Sequence, residues 1–254
     1  MTMQEEMRVV SQQSIAKNIY EIVLEGQITK EMTTPGQFVH IRVGNSSEFM
    51  LRRPISICEV DQSKHTLTCL YRADGKGTKV LSQLKQGDTV DILAPLGCGF
   101  PVDAAGNTAL LIGGGIGVPP LYELSKQLNA RGVKTIHILG FQSKEDIFYL
   151  EQFSTLGETH IATVDGSFGT QGFVTDVIEA LPKTYDTFYT CGPIVMIKAI
   201  ENALPDTPGY VSLEERMGCG IGACYACVCK ADNEEGYVKI CTDGPVFEKG
   251  ALAL

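Results

Sequence analysis

Apolar and polar residues alternate in short runs over roughly the first hundred positions of the chain. In residues 38–43, Val39, Ile41 and Val43 occupy every second position, and residues 66–71 repeat the alternation. This alternation is typical of strands that bury one face, and proline and glycine pairs between the runs mark turns. The pattern therefore predicts half-buried antiparallel strands that close into a small barrel.

Strands alternate with helices from about residue 108 onward. The apolar run at 109–112 leads into a glycine-rich turn, after which Leu121, Leu124 and Leu128 keep the spacing of one helix face up to Gly132. Further strands are predicted at 135–140, 159–164, 187–190 and 210–213, and further helices at 174–181 and 194–204, with one helix inside the barrel region at 78–84. This alternation predicts a doubly wound parallel sheet.

Cysteines are concentrated in residues 214–229. Cys219, Cys224 and Cys227 form a C-x4-C-x2-C run, the ligand spacing of plant-type [2Fe–2S] ferredoxins, and Cys241 is available as the distant fourth ligand. Glycines between the cysteines predict a loop that can aim backbone N–H groups at negatively charged sulfurs. A zinc knuckle, a disulfide or buried free thiols are the alternatives, but zinc sites usually contain two close ligand pairs and this run has one clear pair. The spacing favours an iron–sulfur cluster.

One more cysteine, Cys229, lies two residues after Cys227. The ferredoxin-like spacing is complete without it. We therefore predict that Cys229 faces away from the cluster and is not a ligand.

The chain is acidic, with 21 Lys and Arg against 30 Asp and Glu among 254 residues and a formal charge of −9. This charge disfavours nucleic acid and anionic membranes as partners. The chain begins without a basic, apolar leader and contains no apolar run of about 18 residues. Nine cysteines in a chain of this length are then more typical of reduced thiols and a metal centre than of disulfides. We expect a cytoplasmic protein of two domains and a small cluster module.

Two turns at the predicted sheet are candidates for dinucleotide binding. The turn at 113–120 joins a buried strand to a helix, where N–H groups and glycines permit close approach of a pyrophosphate. It lacks the G-x-G-x-x-G pattern, so an ordinary tight turn is the alternative. The Cys-Gly-Pro at 191–193 ends another predicted strand, at the edge where parallel sheets bind ligands, although Cys191 alone is more often a packed thiol.

The barrel region contains a candidate anion site. Arg52 and Arg53 lie beside a predicted strand, and residues 74–78 open the predicted helix. A bidentate arginine and a helix start that face the same group can bind a diphosphate. A solvated arginine pair with an ordinary helix cap is the alternative.

The order of these motifs resembles that of the ferredoxin–NADP reductase superfamily over residues 1–213. The motifs are Arg53-Pro54-Ile55-Ser56, Leu70-Tyr71-Arg72, Gly77-Thr78, the turn at 113–120 and Cys191-Gly192-Pro193. With Glu-Glu-Arg-Met at 214–217 leading into the cysteines, the whole chain resembles the electron-transfer subunits of dihydroorotate dehydrogenase B. The resemblance implies an FAD-binding β-barrel at 1–102, an NAD-binding α/β domain with a doubly wound parallel sheet at 103–213, and a C-terminal [2Fe–2S] module at 214–254.

The resemblance also implies contacts for each cofactor, with Arg53 at the FAD pyrophosphate and Ser56 near flavin N5. FAD would be contacted by Arg53, Pro54, Ile55, Ser56, Leu70, Tyr71, Arg72, Gly77 and Thr78. NAD(H) would be contacted by Gly113, Gly114, Gly115, Gly117, Cys191, Gly192 and Pro193, and the cluster would be held by Cys219, Cys224, Cys227 and Cys241. Two features depart from the superfamily: Ile55 stands where a tyrosine is common, and the chain ends without the terminal aromatic of plant-type reductases.

The implied function is electron transfer from NADH to FAD, then to the cluster, then to an outside acceptor, because a nicotinamide delivers two electrons and a cluster takes one. The implied acceptor is the FMN of a separate catalytic subunit that oxidises dihydroorotate in pyrimidine biosynthesis, within a hetero-oligomer. Met217, Ile221, Tyr225 and Val228 would form the contact surface or would shield the cluster from water. The rival functions are a reductase subunit of a hydrogenase or bifurcating transhydrogenase, and a non-catalytic redox or metal sensor.

The choice between NADH and NADPH depends on residues 141–146, which follow the second strand of the predicted dinucleotide domain. This segment contains one lysine, Lys144, and two acids. A 2′-phosphate needs an arginine or a similar cation at this place. We therefore predict that NADH is preferred.

Overall fold

The computed structural model describes residues 2–44, 49–231 and 233–253. Its strands, in chain order, are β1 (Met3–Ala16), β2 (Ile19–Glu25), β3 (Phe38–Ile41), β4 (Arg53–Asp61), β5 (Thr66–Arg72), β6 (Thr89–Leu96), β7 (Thr108–Gly114), β8 (Lys134–Phe141), β9 (Glu158–Thr163), β10 (Thr170–Gln171), β11 (Thr187–Cys191), β12 (Gly209–Ser212), β13 (Val228–Lys230), β14 (Tyr237–Lys239) and β15 (Val246–Glu248). Its α-helices are α1 (Lys76–Leu81), α2 (Pro120–Ala130), α3 (Leu150–Ser154), α4 (Val174–Ala180) and α5 (Ile194–Ala203), and short 3-10 turns lie at Gln27–Glu31, Val102–Ala104, Gly115–Gly117 and Lys144–Asp146. The strands and helices predicted after residue 108 are present, with ends shifted by one or two residues.

Six strands of the described chain close into an antiparallel barrel in the order β1-β2-β5-β4-β3-β6, with β6 pairing back onto β1. The inward positions of β3 and β5 are apolar and fully buried: Val39, Ile41, Leu67 and Cys69 are each 0% exposed and share one core. Alternate residues of a strand point to opposite faces, so the period-two pattern buries one row of side chains. The predicted barrel is confirmed.

Strand β3 departs from the half-buried pattern. Its outward residues Phe38 and His40 are only 3% and 0% exposed. Phe38 packs into the core of the neighbouring sheet, and His40 lies against the cysteine loop, where a Cβ on Gly220 would come within 2.7 Å of its Nδ1. Protein covers both faces of this strand, and Thr68 and Leu70 on the second face of β5 are likewise only 8% and 2% exposed, so the prediction of half-buried strands is wrong for β3 and β5.

The described residues also form a seven-stranded sheet in the order β10-β9-β8-β7-β11-β12-β15. Both faces of β7 are covered: Leu110 and Ile112 join one core, and Ala109 and Leu111 join the other. Burial of both faces is what a parallel sheet with helices on either side requires. The strands from β10 to β12 pair in parallel, while β15 pairs antiparallel with β12. The predicted doubly wound parallel sheet is confirmed, with one antiparallel edge strand added.

The strand order reverses between β7 and β11. Strands β8 and β9 lie on one side of β7, and β11 and β12 lie on the other. The crevice outside the carboxyl ends of the strands at such a reversal is where open α/β sheets bind ligands. The two predicted dinucleotide turns, at 113–117 and 191–193, follow these two central strands, so the topology brings them together.

The cysteine run lies in an irregular loop, as predicted, that extends over residues 213–227. Strands β13 and β14 pair as a hairpin after it, and β15 then adds to the sheet beside β12. The segment predicted as a cluster module therefore contributes a strand to the dinucleotide sheet. The domain limits at residues 102 and 213 stay predictions.

Helix α2 joins the sheet to the barrel. Glu123 on this helix is 8% exposed, and its carboxylate accepts the backbone N–H of Val60 on β4 at 3.1 Å. Lys126 on the same helix donates to Glu59 at 2.5 Å. Burial raises the pKa of Glu123, against the opposing effect of its hydrogen bonds. These contacts fix the position of the sheet beside the barrel and so set the geometry of the site.

Candidate functional site

A cavity of about 680 Å³ opens where β4, β5 and the loop after β12 meet. Seven predicted FAD residues line it: Arg53, Pro54, Ile55, Ser56, Leu70, Tyr71 and Arg72. A neighbouring cavity of about 560 Å³ is lined by Gly77 and Thr78 at the start of α1. Arg53 and Arg72 line both cavities, so the two form one continuous groove, here called the barrel groove. All nine predicted FAD residues thus lie together.

The two neighbouring arginines have different roles. Arg52 donates to the Asp91 carboxylate at 2.7 Å and to the Asp91 carbonyl at 3.0 Å, which ties it to the barrel wall. The Arg53 guanidinium lies over Gly77, where an added Cβ would be 2.8 Å from Nε and Nη2. Arg53 donates to the carbonyl oxygens of Leu51 and Arg52, and Arg72 forms an ion pair with Asp74 at 3.8 Å. Both guanidinium groups also line the groove, where they can contact a bound anion.

Tyr71 differs from its neighbours on β5. Its side chain is 1% exposed, belongs to the barrel core, and donates its hydroxyl to Gln12 at 3.1 Å. Leu70 and Arg72 lie on the opposite face of the strand because residues alternate. The phenol of Tyr71 is therefore part of the barrel interior, and burial raises its pKa.

The two dinucleotide turns touch each other at the carboxyl edge of the sheet. A Cβ on Gly117 would lie 2.4 Å from the Cys191 carbonyl oxygen, and a Cβ on Gly192 would lie 3.2 Å from the Cα of Gly114. Glycine is needed here for the protein's own packing as well as for any approach of a phosphate. Ile116, inside the first turn, also lines the barrel groove. The dinucleotide turns and the FAD residues therefore border the same space.

Glu214 is a groove residue that the sequence-based assignment did not include. Its carboxylate is open to the cavity yet surrounded by protein, which raises its pKa, while the charge of Arg72 lowers it. Burial is the main cause that raises the pKa of the Cys191 thiol, and the charge of the Glu214 carboxylate raises it further. Glu214 therefore lies near both the FAD residues and the dinucleotide turn at 191–193. Its position directly after β12, at the ligand-binding edge of the sheet, was the available signal.

The four predicted cluster ligands share one feature. The sulfurs of Cys219, Cys224, Cys227 and Cys241 each accept a backbone N–H at 3.2–3.4 Å. Burial disfavours the thiolate form of Cys219 and so raises its pKa. Hydrogen bonds from the N–H of Ile221 and from other loop donors have a larger opposite effect and lower the pKa to about 7. N–H donors stabilise negative sulfur, which suits the thiolate ligands of an iron–sulfur cluster.

Cys229 has a different environment. Its thiol donates to the Glu215 carboxylate at 3.7 Å, and burial together with that carboxylate raises its pKa. Residues two apart on a strand share a face, so strand alternation alone would not separate Cys227 from Cys229. Cys227 precedes β13 and lies in the loop, whereas Cys229 lies on the strand, and the two sulfurs have different hydrogen-bond partners.

The donor set fits a two-iron cluster in number and chemistry. Within residues 2–44, 49–231 and 233–253, no group of three or more His, Cys, Asp or Glu side chains is arranged to hold a single metal ion. A [2Fe–2S] cluster divides four cysteines between two irons, so four cysteine ligands match it in number. The assignment of the four cysteines as its ligands stays a prediction.

Two family models match the chain. One, described as the iron-sulfur cluster binding domain of dihydroorotate dehydrogenase B, matches residues 214–253, and the other, an oxidoreductase NAD-binding domain, matches residues 111–202. The chain is 60% identical over 258 residues to the dihydroorotate dehydrogenase B (NAD(+)) electron transfer subunit of Lysinibacillus sphaericus, and 58% identical over 259 residues to that of Bacillus mycoides, with 100% of each chain covered. The chain belongs to this family of electron transfer subunits.

Solved structures of the same fold agree with this membership. The structure of an NADH-dependent reduced ferredoxin-NADP oxidoreductase, solved for its flavin-based electron bifurcation, is 28% identical with a TM-score of 0.87, covering 98% of this chain and 90% of that one. An Amycolatopsis cytochrome P450 reductase, 23% identical with a TM-score of 0.68 over 80% of this chain and 66% of its own, shares the fold. The predicted family, fold class and cofactor set of FAD, a [2Fe–2S] cluster and NAD(H) are confirmed at this level.

In this family member the barrel groove and the cysteine loop share a wall. Phe38 and Met217 line the groove and also pack in one apolar core with Cys227 and Cys241. Met217 is only 9% exposed, so its predicted place on the contact surface is wrong. Met217 therefore packs in the protein core beside the cysteine loop and does not face a partner.

The other three residues of the predicted contact surface are exposed. Ile221 and Tyr225 are each 55% exposed, and Val228 is 42% exposed. Tyr225 adopts a left-handed backbone conformation (φ 57°), and the Lys239 ammonium lies 4.1 Å from its ring centroid. Apolar side chains thus surround the outer side of the cysteine loop.

Proposed function

We propose that this chain passes electrons between NAD(H), FAD and a [2Fe–2S] cluster, to or from the flavin of a catalytic subunit that oxidises dihydroorotate. One observation carries the proposal: the barrel groove borders the dinucleotide turns through Ile116 and shares the wall of Phe38 and Met217 with the cysteine loop. Donor, flavin and cluster sites therefore adjoin one another. The names of the curated relatives support the same assignment.

A bound flavin accepts the electron pair of a hydride and releases electrons singly, so it can link a nicotinamide to a one-electron cluster. The protein side chains bind and position these groups. Arg53 and Arg72, with the backbone at Gly77 and Thr78, provide positive charge and N–H groups for the FAD pyrophosphate. The turns at 113–117 and 191–193 hold the dinucleotide at the sheet edge. Phe38 and Met217 exclude water between the groove and the cluster loop.

Spectroscopy and turnover test this function together. The anaerobically purified chain should show flavin and iron–sulfur absorption bands that both bleach with NADH. Reduction of NAD+ by dihydroorotate should require this chain together with the catalytic subunit. A chain without flavin and cluster bands would instead support the sensor alternative.

A second candidate function is the NADH-dependent reductase subunit of a bifurcating complex. It is favoured by the 98% coverage and the TM-score of 0.87 against the reduced ferredoxin-NADP oxidoreductase structure. The electron acceptor separates the two functions. Transfer to ferredoxin in place of the dihydroorotate-oxidising subunit would favour this candidate.

The partner is proposed to be an FMN-containing catalytic subunit that docks on the surface formed by Ile221, Tyr225 and Val228. Interface cores are enriched in apolar and aromatic side chains, and export of electrons requires contact close to the cluster. We expect Ile221→Asp to abolish co-purification with the catalytic subunit while NADH-to-dye activity and iron content persist. Met3→Asp, at an apolar residue that is 46% exposed on the barrel, is the matched control.

Size measurement of the mixture completes this test. The wild-type pair should form a symmetric hetero-oligomer. A chain that stays monomeric beside the catalytic subunit, and that reduces dyes but never that subunit, would contradict the proposed partner.

NADH should be preferred over NADPH by at least about tenfold in kcat/KM, equivalent to about 1.4 kcal/mol. The backbone N–H of Lys144 donates to Ser167 at 2.7 Å, and Ser167 in turn donates to the Asp165 carboxylate. The loops after β8 and β9 thus place Asp165 beside the segment that contains Lys144, Glu145 and Asp146, and these acids repel a 2′-phosphate. Asp165→Asn should lower the ratio of kcat/KM for NADH to kcat/KM for NADPH, because it removes one of the repelling charges. Equal kcat/KM values for the two donors in the wild-type chain would overturn this prediction.

Across the described part of the chain, no helix has both the length and the apolar character that a membrane crossing needs. The cytoplasmic location and the absence of nucleic-acid partners, inferred from the sequence, stay predictions.

A further inference from the structure

His40 is a buried polar residue with no role so far in electron transfer. It is 0% exposed, and among the described residues neither ring nitrogen forms a hydrogen bond of good geometry, although backbone groups of Arg52 and Cys219 lie close enough to raise its pKa against the lowering effect of burial. His137, equally buried, bonds through both ring nitrogens, to Ser125 at 2.8 Å and to Thr159 at 2.9 Å. Buried polar groups are nearly always paired. The two unpaired nitrogens of His40 therefore require an explanation.

His40 lies between the barrel groove and the cysteine loop. On one side it lies beside Pro54, a groove residue on the neighbouring strand β4. On the other side its Nδ1 faces Gly220, where an added Cβ would lie only 2.7 Å away. Gly220 has a φ of +73°, and it follows Cys219 directly. The ring edge is thus directed at the stretch of loop that begins the ligand run.

The chemistry of the loop offers a further acceptor beside the backbone groups of Arg52 and Cys219. An imidazole carries at least one N–H whether it is neutral or protonated. The donors that already reach the cysteine sulfurs are backbone N–H groups, four from the loop and one from Cys241. Cluster and thiolate sulfurs are negatively charged acceptors, and hydrogen bonds to them are one determinant of the reduction potential.

We propose that His40 is a side-chain hydrogen-bond donor from the barrel to the iron–sulfur loop, and that its ring N–H stabilises negative charge on a cluster sulfur. The proposal rests on the proposed assignment of the cluster to Cys219, Cys224, Cys227 and Cys241. A donor to sulfur stabilises the reduced, more negative cluster, so His40 raises the reduction potential. His40 is a positioning residue, not a ligand.

Pulsed EPR of the full-length chain tests the contact directly. Histidine rings are labelled with ¹⁵N, and the cluster is reduced with dithionite in the protein that carries FAD and the cluster. We expect a weak coupling from an imidazole nitrogen, and we expect the coupling to vanish in labelled His40→Gln. A normal cluster signal without imidazole coupling overturns the proposal, as does a strong coupling typical of a ligand. No cluster signal at all would overturn the proposed ligand set as well, so the two failures are distinguishable.

Redox titration tests the consequence. His40→Phe keeps the ring volume but has no donor, and it should shift the cluster to a more negative potential at unchanged iron and sulfide content. His40→Gln keeps N–H donors and should restore a potential close to the wild-type value. His160→Phe, on β9 near the far edge of the sheet, is the control and should leave the potential unchanged.

Each outcome of the titration decides the question. An unchanged potential in His40→Phe overturns the proposal. If His40→Phe fails to hold a cluster, His40→Gln decides: a cluster at the wild-type potential supports the donor role. Loss of the cluster in both variants means that the ring shape matters and the N–H does not, which overturns it.

Discussion

Serine in place of Cys241 should abolish the [2Fe–2S] absorption and EPR spectra of this chain, while serine in place of Cys229 should leave both unchanged. The Cys241 sulfur accepts the N–H of Gly222 at 3.2 Å, whereas the Cys229 thiol donates to the Glu215 carboxylate at 3.7 Å. Thiolate is the ligand that iron–sulfur clusters require, and a serine hydroxyl replaces it poorly. Iron and acid-labile sulfide per chain are the quantities to measure.

Electron transfer to the two kinds of acceptor separates loss of the cluster from loss of the fold. Neither cysteine lines the barrel groove, so both variants should keep FAD and NADH-to-dye activity. Only Cys241→Ser should lose NAD+ reduction by dihydroorotate in the presence of the catalytic subunit. If Cys229→Ser removed the cluster spectrum and Cys241→Ser retained it, the ligand assignment would be wrong.

Alanine in place of Arg53 should raise the dissociation constant for FAD by about tenfold to a hundredfold, because hydrogen bonds to charged groups contribute about 1.5–3 kcal/mol. Arg53 lines both parts of the groove and lies over Gly77 at the start of α1. Titration of the flavin-free protein with FAD, followed by flavin fluorescence, measures the change. Arg53→Lys should recover part of the affinity, since lysine keeps the charge but not the bidentate geometry.

The control for Arg53 is another arginine on the same barrel. Arg8 forms an exposed ion pair with Glu25, and it does not line the groove. Arg8→Ala should therefore leave FAD affinity unchanged. Equal losses of affinity in Arg8→Ala and Arg53→Ala would indicate a general effect on the barrel and would contradict the assigned contact.

Much of the fold follows from local patterns. The alternation around Val39 and Leu67 predicted barrel strands because a strand exposes alternate residues to a single core. The spacing of Leu121, Leu124 and Leu128 predicted α2 because residues three and four apart lie on one face of a helix. The antiparallel pairing of β15 with β12 was not predicted, since only three residues form that strand and their partners lie far away in the sequence.

Some features of the candidate site were likewise predictable from the sequence, and others depended on tertiary contacts. The cysteine spacing and the glycine-rich turns are visible in the sequence because a cluster and a pyrophosphate each impose ligands within a short stretch of chain. Glu214 was not assigned to the groove, because its relation to Arg72 depends on the contact between the sheet and the barrel. The tie of Arg52 to the barrel wall likewise depends on Asp91, a partner on a distant strand, whereas Arg53 extends into both parts of the groove.

The sequence by itself determined the fold class, the family and the ligand spacing of the cysteines, since each depends on residue types at fixed short separations. The tertiary structure alone decided which faces are covered. It buried Phe38 and His40 on the outer side of β3, turned Met217 inward, and left Ile221 and Tyr225 exposed. The physical reason is that burial is a property of packing between segments far apart in the chain. A period-two or glycine-rich pattern specifies how a segment folds, but it does not specify what will lie against it.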